Sequence, residues 1–189
     1  MAKIEILVQG YVRKEGEAEH ASSTAVLVQE KDINIIVDPG LAKEQLAAGL
    51  QKAGLKPEDI QYVFLTHYHP DHAFGAAWFP KAKILDNECV YDGDKITEHD
   101  GFIPGTELAV MRTPGHAPEH CSLAVPTDKG MVVVTGDVFW WHGDEEQKID
   151  VTKKDPYAKD HQQLSDSRAK LLKLADFIIP GHGSIIKVK

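Results

Sequence analysis

The sequence predicts an α/β protein in which two β-sheets pack face to face and helices cover their outer sides. Strand-type runs fall into two clusters, before and after a histidine-rich segment at residues 67–72, and a helix-type segment lies beside each. At 189 residues the chain fits a single domain, residues 1–189, able to bury about 70% of the surface its unfolded form exposes. No internal repeat, low-complexity tract or linker interrupts it.

Lys3 to Gln9, Thr24 to Gln29 and Ile33 to Val37 are apolar and rich in β-branched residues between polar turns, the signature of strands. Arg13 to Ser23 between them is polar, contains Gly16 and His20, and reads as a hairpin loop. After Asp38-Pro39-Gly40, Leu41, Leu46, Leu50 and Ala53 recur at helical spacing, and Gly54 suits the position just past a helix end. Tyr62 to Leu65 is a short strand that runs straight into Thr66-His67-Tyr68-His69-Pro70-Asp71-His72. Further strands are expected at Ala82 to Leu85, Leu108 to Arg112, Cys121 to Val125 and Met131 to Thr135, separated by glycine and proline turns. Asp155 as N-cap, Pro156 in the first turn and Leu164, Leu171, Leu172 and Leu174 predict an amphipathic helix over Tyr157 to Ala175. Asp176 to Ile179 and Ile185 to Val188 close the chain as strands around Gly181-His182-Gly183.

Apolar residues at 42% and charged residues at 26% exclude a collagenous, coiled-coil or mostly disordered chain. Twenty-one Lys and Arg against 29 Asp and Glu give a net charge of -8. A general polyanion binder carries a basic face, so RNA is disfavoured and a small molecule is the expected partner. Lys153 and Lys154 are the only local hint of phosphate contact. The longest apolar stretches, such as Met131 to Val134, fall far short of the ~18 residues a membrane span needs, and Met1 to Gly10 lacks a signal peptide's apolar run. A cytoplasmic protein is expected. Cys89 and Cys121 are too few for a disulfide framework and read as reduced thiols.

Histidine is the anomaly, with ten residues. His67, His69, Asp71 and His72 put four donors within six positions. At a strand end His67 and His69 point the same way because side chains alternate, and the turn at Pro70 lets Asp71 and His72 face a second centre. Neutral imidazole and carboxylate suit zinc or a similar divalent metal. Three later segments each place a donor beside glycine at a strand exit: Thr113-Pro114-Gly115-His116, Val134-Thr135-Gly136-Asp137 and Ile179-Pro180-Gly181-His182. Read alone, each is as readily a turn as a ligand. Read with the first cluster they form two sites, one of His67, His69 and His116 and one of Asp71, His72 and His182, with Asp137 bridging both. Two close cations need such a carboxylate to offset their repulsion.

The string from His67 to Gly75, with His116, Asp137 and His182 following at 44, 21 and 45 residues, resembles the metallo-β-lactamase superfamily. The likeness runs from Asp38 to His182 and implies a four-layer αββα sandwich of two mixed sheets with the metals at one edge. The full H-x-H-x-D-H set is similar to the dinuclear hydrolases, among them glyoxalase II, lactonases and RNase Z. Zinc β-lactamases differ by a cysteine ligand and lack an aspartate like Asp137, glyoxalase II adds a helical domain, and RNase Z adds a long arm for its RNA. Val134 to Phe139, Gly143-Asp144-Glu145 and Phe177 to Gly183 are closer to the compact endoribonuclease-like members.

The resemblance implies two divalent cations, zinc first with manganese or iron admissible, and a hydroxide between them that attacks a small ester, thioester, lactone or phosphodiester. Asp71 and Asp137 are the expected catalytic carboxylates, Asp71 orienting the nucleophile while it ligates. Asp38 is expected behind the ligands, fixing an imidazole tautomer, and His120 as a hydrogen-bonded neighbour of the site. Trp140, Trp141 and His142 are expected near the metal mouth as a floor for substrate. Two other readings stand: an endoribonuclease or other phosphodiesterase, and a persulfide dioxygenase with one iron held by two histidines and an aspartate. A homodimer is admissible, although no interface signature shows.

Overall fold

A computed structural model describes residues 1–189. Its first sheet has seven strands in the order β1-β4-β5-β6-β7-β8-β9. These are Lys3–Val8 (β1), Ala25–Glu30 (β4), Ile33–Val37 (β5), Tyr62–Phe64 (β6), Lys83–Leu85 (β7), Cys89–Asp92 (β8) and Lys95–Glu98 (β9). Tyr11–Glu15 (β2) and Ala18–Ser22 (β3) pair only with each other. The second sheet runs β10-β11-β12-β13-β14, from Ala109–Arg112, Cys121–Thr127, Gly130–Trp140, Phe177–His182 and Ile186–Lys187. The helices are α1 (Lys43–Lys52), a single turn α2 (Pro70–Ala73) and α3 (His161–Leu174). No helix is long and apolar enough to cross a membrane.

Strand alternation builds the layers. Val26, Val28, Ile35, Val37 and Phe64 of the first sheet meet Leu123, Val125, Val132, Val134 and Ile179 of the second in one buried cluster. The residues between them face outward: Leu27, Ile36 and Val63 pack on Leu46 and Leu50 of α1, and Ala124, Val133 and Ile178 on Leu164 and Leu171 of α3. The four-layer αββα order follows. Strands covered on both faces also explain why the sequence shows continuous apolar runs rather than alternation.

Parallel pairing sets where the site lies. β5, β6 and β7 run parallel, as do β12 and β13, so their carboxyl ends share one edge of the sandwich. The loops that leave that edge carry Asp38, His67 to His72 and Asp86, while Asp137 and His182 sit within the last turns of β12 and β13.

Several elements differ from the sequence expectation. Arg13 to Ser23 is not a loop: most of it forms the β2–β3 hairpin, a polar pair that buries little beyond Val12 and Ser22. β8 and β9 were not expected, because Cys-Val-Tyr-Asp and Lys-Ile-Thr-Glu have weak strand patterns and gain their form by docking on β7. α3 starts at His161, not Tyr157, and its cap is Asp160, whose side chain accepts from the Gln163 N–H at 2.9 Å. Asp155 has another use, described below.

Gly115 has φ +134°, and a Cβ there would lie 2.2 Å from the backbone nitrogen of Leu164 in α3. Gly115→Ala is therefore expected to cost more than about 2 kcal/mol, a fall in Tm of roughly 4–8 °C for a chain this size. Gly16→Ala, in an open turn with nothing within 4 Å of the new methyl, should cost about 1 kcal/mol. Thermal unfolding followed by circular dichroism compares the two.

Candidate metal centre

The four segments singled out in the sequence converge on one edge. Donor atoms of His67, His69, His116 and Asp137 all lie within 4.8 Å of one another, and those of Asp71, His72 and His182 form a second such group. Asp137 faces both. Its Oδ2 is 3.4 Å from His116 Nε2 and 3.8 Å from His67 Nε2, and its Oδ1 is 3.3 Å from His72 Nε2 and 3.6 Å from His182 Nε2. Asp71 Oδ2 approaches His182 Nε2 at 3.2 Å.

Four imidazoles are turned inward by an acceptor behind them. His72 Nδ1 is 2.8 Å from Asp38 Oδ2, His116 Nδ1 is 2.7 Å from Asp155 Oδ2, and His182 Nδ1 is 3.1 Å from the Ser22 carbonyl. His67 Nδ1 is 3.0 Å from Thr66 Oγ1, whose own hydrogen is donated to Asp38 Oδ2 at 2.6 Å. Each ring thus has its Nδ1 engaged from behind and turns Nε2 to the centre. His69 differs, approaching His116 Nε2 through Nδ1 at 3.1 Å. Asp38 also accepts from the Thr66 N–H at 2.8 Å, so it clamps the start of the histidine segment as well as His72. Asp155, read from the sequence only as a helix cap, escaped notice as a site residue. Nothing local marks it, since its partner lies 39 positions away.

His120 is a neighbour of the donor cluster and holds the main chain. It is buried beside His67, its Nε2 accepts from the Asp137 N–H at 3.1 Å, and its Nδ1 is 3.1 Å from Thr113 Oγ1. Burial, with His116 nearby, pushes its pKa down to about 3, so the ring stays neutral and Nε2 remains an acceptor.

The protein's own groups leave a definite deficit. His67 Nε2 and Asp137 Oδ1 are buried without a hydrogen-bond partner, a condition that costs about 1–3 kcal/mol per group. Burial, reinforced by His72, drives His67 well below the usual imidazole range, so it stands ready as a neutral donor. Burial opposes charge on Asp137, but His72 and His182 overcome it and hold the carboxyl well below its usual range. Burial opposes charge on His72 as well, but Asp137 and Asp38 raise its pKa well above the usual imidazole range, so without a cation this ring carries the positive charge that a metal ion would replace. Imidazole and carboxylate are the donor types that divalent cations fit.

A cleft of roughly 260 Å³ opens on this edge, walled by Val12, Ala21, Pro70, Trp140 and Tyr157, with His69, Asp71, Asp137 and His182 at its base. Trp140 lies where the sequence places it, its ring 6.3 Å from that of His182. Trp141 does not. As the first residue past β12 it turns to the opposite face, where it is buried with Phe139 and Leu164 beneath α3. His142 leaves the cleft too and lines a neighbouring groove with Arg13 and Lys14, in edge contact with Trp140.

Asp137→Ala should leave a folded chain that holds less than half the wild-type metal, read by elemental analysis after dialysis. Gly181→Ala should act similarly, because its Cβ would fall 1.9 Å from Asp137 Oδ1. Wild-type metal content in both variants would remove Asp137 from the centre.

Comparison with known proteins agrees with this geometry. A family model described as the metallo-beta-lactamase superfamily matches residues 20–102. "Metallo-beta-lactamase domain-containing protein 1" of Xenopus laevis is 33% identical over 98% of this chain and 81% of its own length. Of its mouse, rat and human namesakes, 35 or 36% identical, the chain spans 61, 63 and 59%. An "N-acyl homoserine lactonase" of Bacillus cereus is 30% identical over 69% of this chain and 57% of its own length. A Thermotoga maritima structure described as of metallo-beta-lactamase type superimposes with a TM-score of 0.72 at 22% identity, covering 98% of this chain and 99% of that one. With the αββα sandwich and the donors gathered at its edge, these similarities establish that the chain belongs to the metallo-β-lactamase superfamily, a family of metal-dependent hydrolases.

Proposed function

We propose that the chain is a dinuclear, zinc-dependent hydrolase that cleaves a small ester, thioester or lactone. One observation carries the reading: a single buried carboxylate, Asp137, turns one oxygen to each of two donor groups. His67, His69 and His116 would hold one cation, Asp71, His72 and His182 the other, and Asp137 both. Cations so held supply Lewis acidity and a water made acidic enough to act as a nucleophile near neutral pH.

The side chains divide the remaining work. Burial disfavours charge on Asp71, yet its contact with His182 and the nearby His72 keep the carboxyl below its usual range. It is therefore ionised, and it is the one carboxylate of the centre with substantial exposure to the cleft. Its free oxygen can accept the proton of an attacking water and return it to the leaving group. Trp140 and Tyr157, ring centres 5.7 Å apart, offer an apolar wall for an acyl chain. The Tyr157 hydroxyl donates to Glu19 Oε1 at 3.1 Å and closes the rim.

The cleft favours a small neutral group over RNA. Its rim carries Glu19, and Lys153 is already engaged, donating to Glu145 Oε2 at 2.7 Å and to the Trp140 carbonyl at 3.0 Å. The lactonase similarity supports the same substrate class.

Metal content of protein purified without added metal, measured beside cleavage of a model thioester, a lactone and a phosphodiester, tests the proposal. Two zinc or manganese ions per chain and cleavage of thioester or lactone are expected, with loss on chelation and recovery on metal return. Cleavage of the phosphodiester alone would overturn the substrate class, and one iron with oxygen consumption would overturn hydrolysis. Asp71→Asn should lower kcat by about 10²–10⁴-fold.

A further inference from the structure

Arg168 in α3 is a buried cation with no ion-pair partner; it is 2% exposed. Its donors go to the main chain instead. Nε–H donates to the Val138 carbonyl at 2.8 Å, and Nη1 donates to the carbonyls of Lys153 and, at 3.4 Å, of Val151. Val138 follows Asp137, and Lys153 lies two residues before Asp155.

Residues 141–160 form neither helix nor strand, so their carbonyls have no ladder to join. Burying a guanidinium is unfavourable unless its partners make up for the lost water. A leucine or methionine would fill the same space under α3 but would leave those carbonyls unpaired. The planar fork of arginine, with several donors in fixed directions, suits acceptors from two separate segments.

The other side of the same contact is also fixed by this part of the chain. The N–H groups of Lys159 and Asp160 each donate to the Gly115 carbonyl at 2.9 Å, and Ser167 Oγ donates to the Pro114 carbonyl at 2.7 Å. Asp155 and His116, joined at 2.7 Å, are thus both anchored at α3. The supports of the Asp71, His72 and His182 group, Asp38 just past β5 and the Ser22 carbonyl at the end of β3, accept no hydrogen bond from Arg168.

We infer that Arg168 is a positioning residue for one half of the centre: by fixing the Val151–Asp155 segment it holds Asp155 against His116 and so sets the affinity of the three-histidine group for its metal. The inference rests on the reading of the seven donors as a two-metal centre.

Zinc binding by equilibrium dialysis and cobalt titration followed by visible absorption, on full-length wild type, Arg168→Met, Asp155→Asn and the double variant, test it. Arg168→Met should weaken one of the two ions about 10–100-fold and leave the other within about twofold. Asp155→Asn should give the same selective loss, and the double variant no more than either alone, because the two act in series. Arg168→Lys, which keeps the charge with fewer donors, should lie between wild type and Arg168→Met. It carries the comparison if Arg168→Met loses the wild-type circular dichroism. Wild-type affinity for both ions in the Arg168 variants, equal weakening of both, or multiplying losses in the double variant would overturn the inference. A wild-type chain that takes up only one ion would overturn the two-metal reading itself.

Discussion

Everything at the edge of the sandwich depends on the orientation of buried imidazole rings. A histidine can offer either nitrogen, and a cluster of five in so little space would otherwise exchange protons and rotamers freely. Here an acceptor stands behind each of four rings: Asp38 for His72, Asp155 for His116, the Ser22 carbonyl for His182 and Thr66 for His67. With Nδ1 thus occupied, every one of these Nε2 atoms converges on Asp137. The outer acceptors therefore convert a histidine-rich patch into a donor set of defined direction.

That arrangement is possible because the fold delivers acceptors from unrelated parts of the chain to one place. Parallel strands bring β5, β6 and β7 out at the same edge, and β12 and β13 deliver Asp137 and His182 to it from the other sheet. The α3 side supplies Asp155, while the β2–β3 hairpin supplies Ser22 and one wall of the cleft. Burial then does the electrostatic work. It keeps His67 and His120 neutral, and the imidazoles around Asp137 hold that carboxyl ionised where desolvation alone would protonate it.

The sequence and the structure divide along a physical line. Period-two and helical spacings are local, so most strands, α1 and the body of α3 were legible, with errors where pairing outweighs pattern. The β2–β3 hairpin and β8–β9 are polar and form because a neighbouring strand or the sandwich edge receives them. Trp141 illustrates the same limit: one residue further along extended chain reverses the face, and adjacency to Trp140 in sequence becomes opposition in space.

That His67, His69, Asp71, His72, His116, Asp137 and His182 would gather at one edge with Asp38 behind them was readable from the sequence, because donors set beside strand exits leave a short, dense pattern. The partnership of Asp155 with His116 and the service of Arg168 to that segment leave none. They join residues 39 and 15 to 30 positions apart through side chains whose local surroundings look like an ordinary helix start and an ordinary charged helix. Which donors could exist was determined by residue type along the chain. Which way each lone pair points, and which tryptophan meets the cleft, was decided only when the two sheets and α3 closed around them, because hydrogen-bond direction is a property of three-dimensional neighbours.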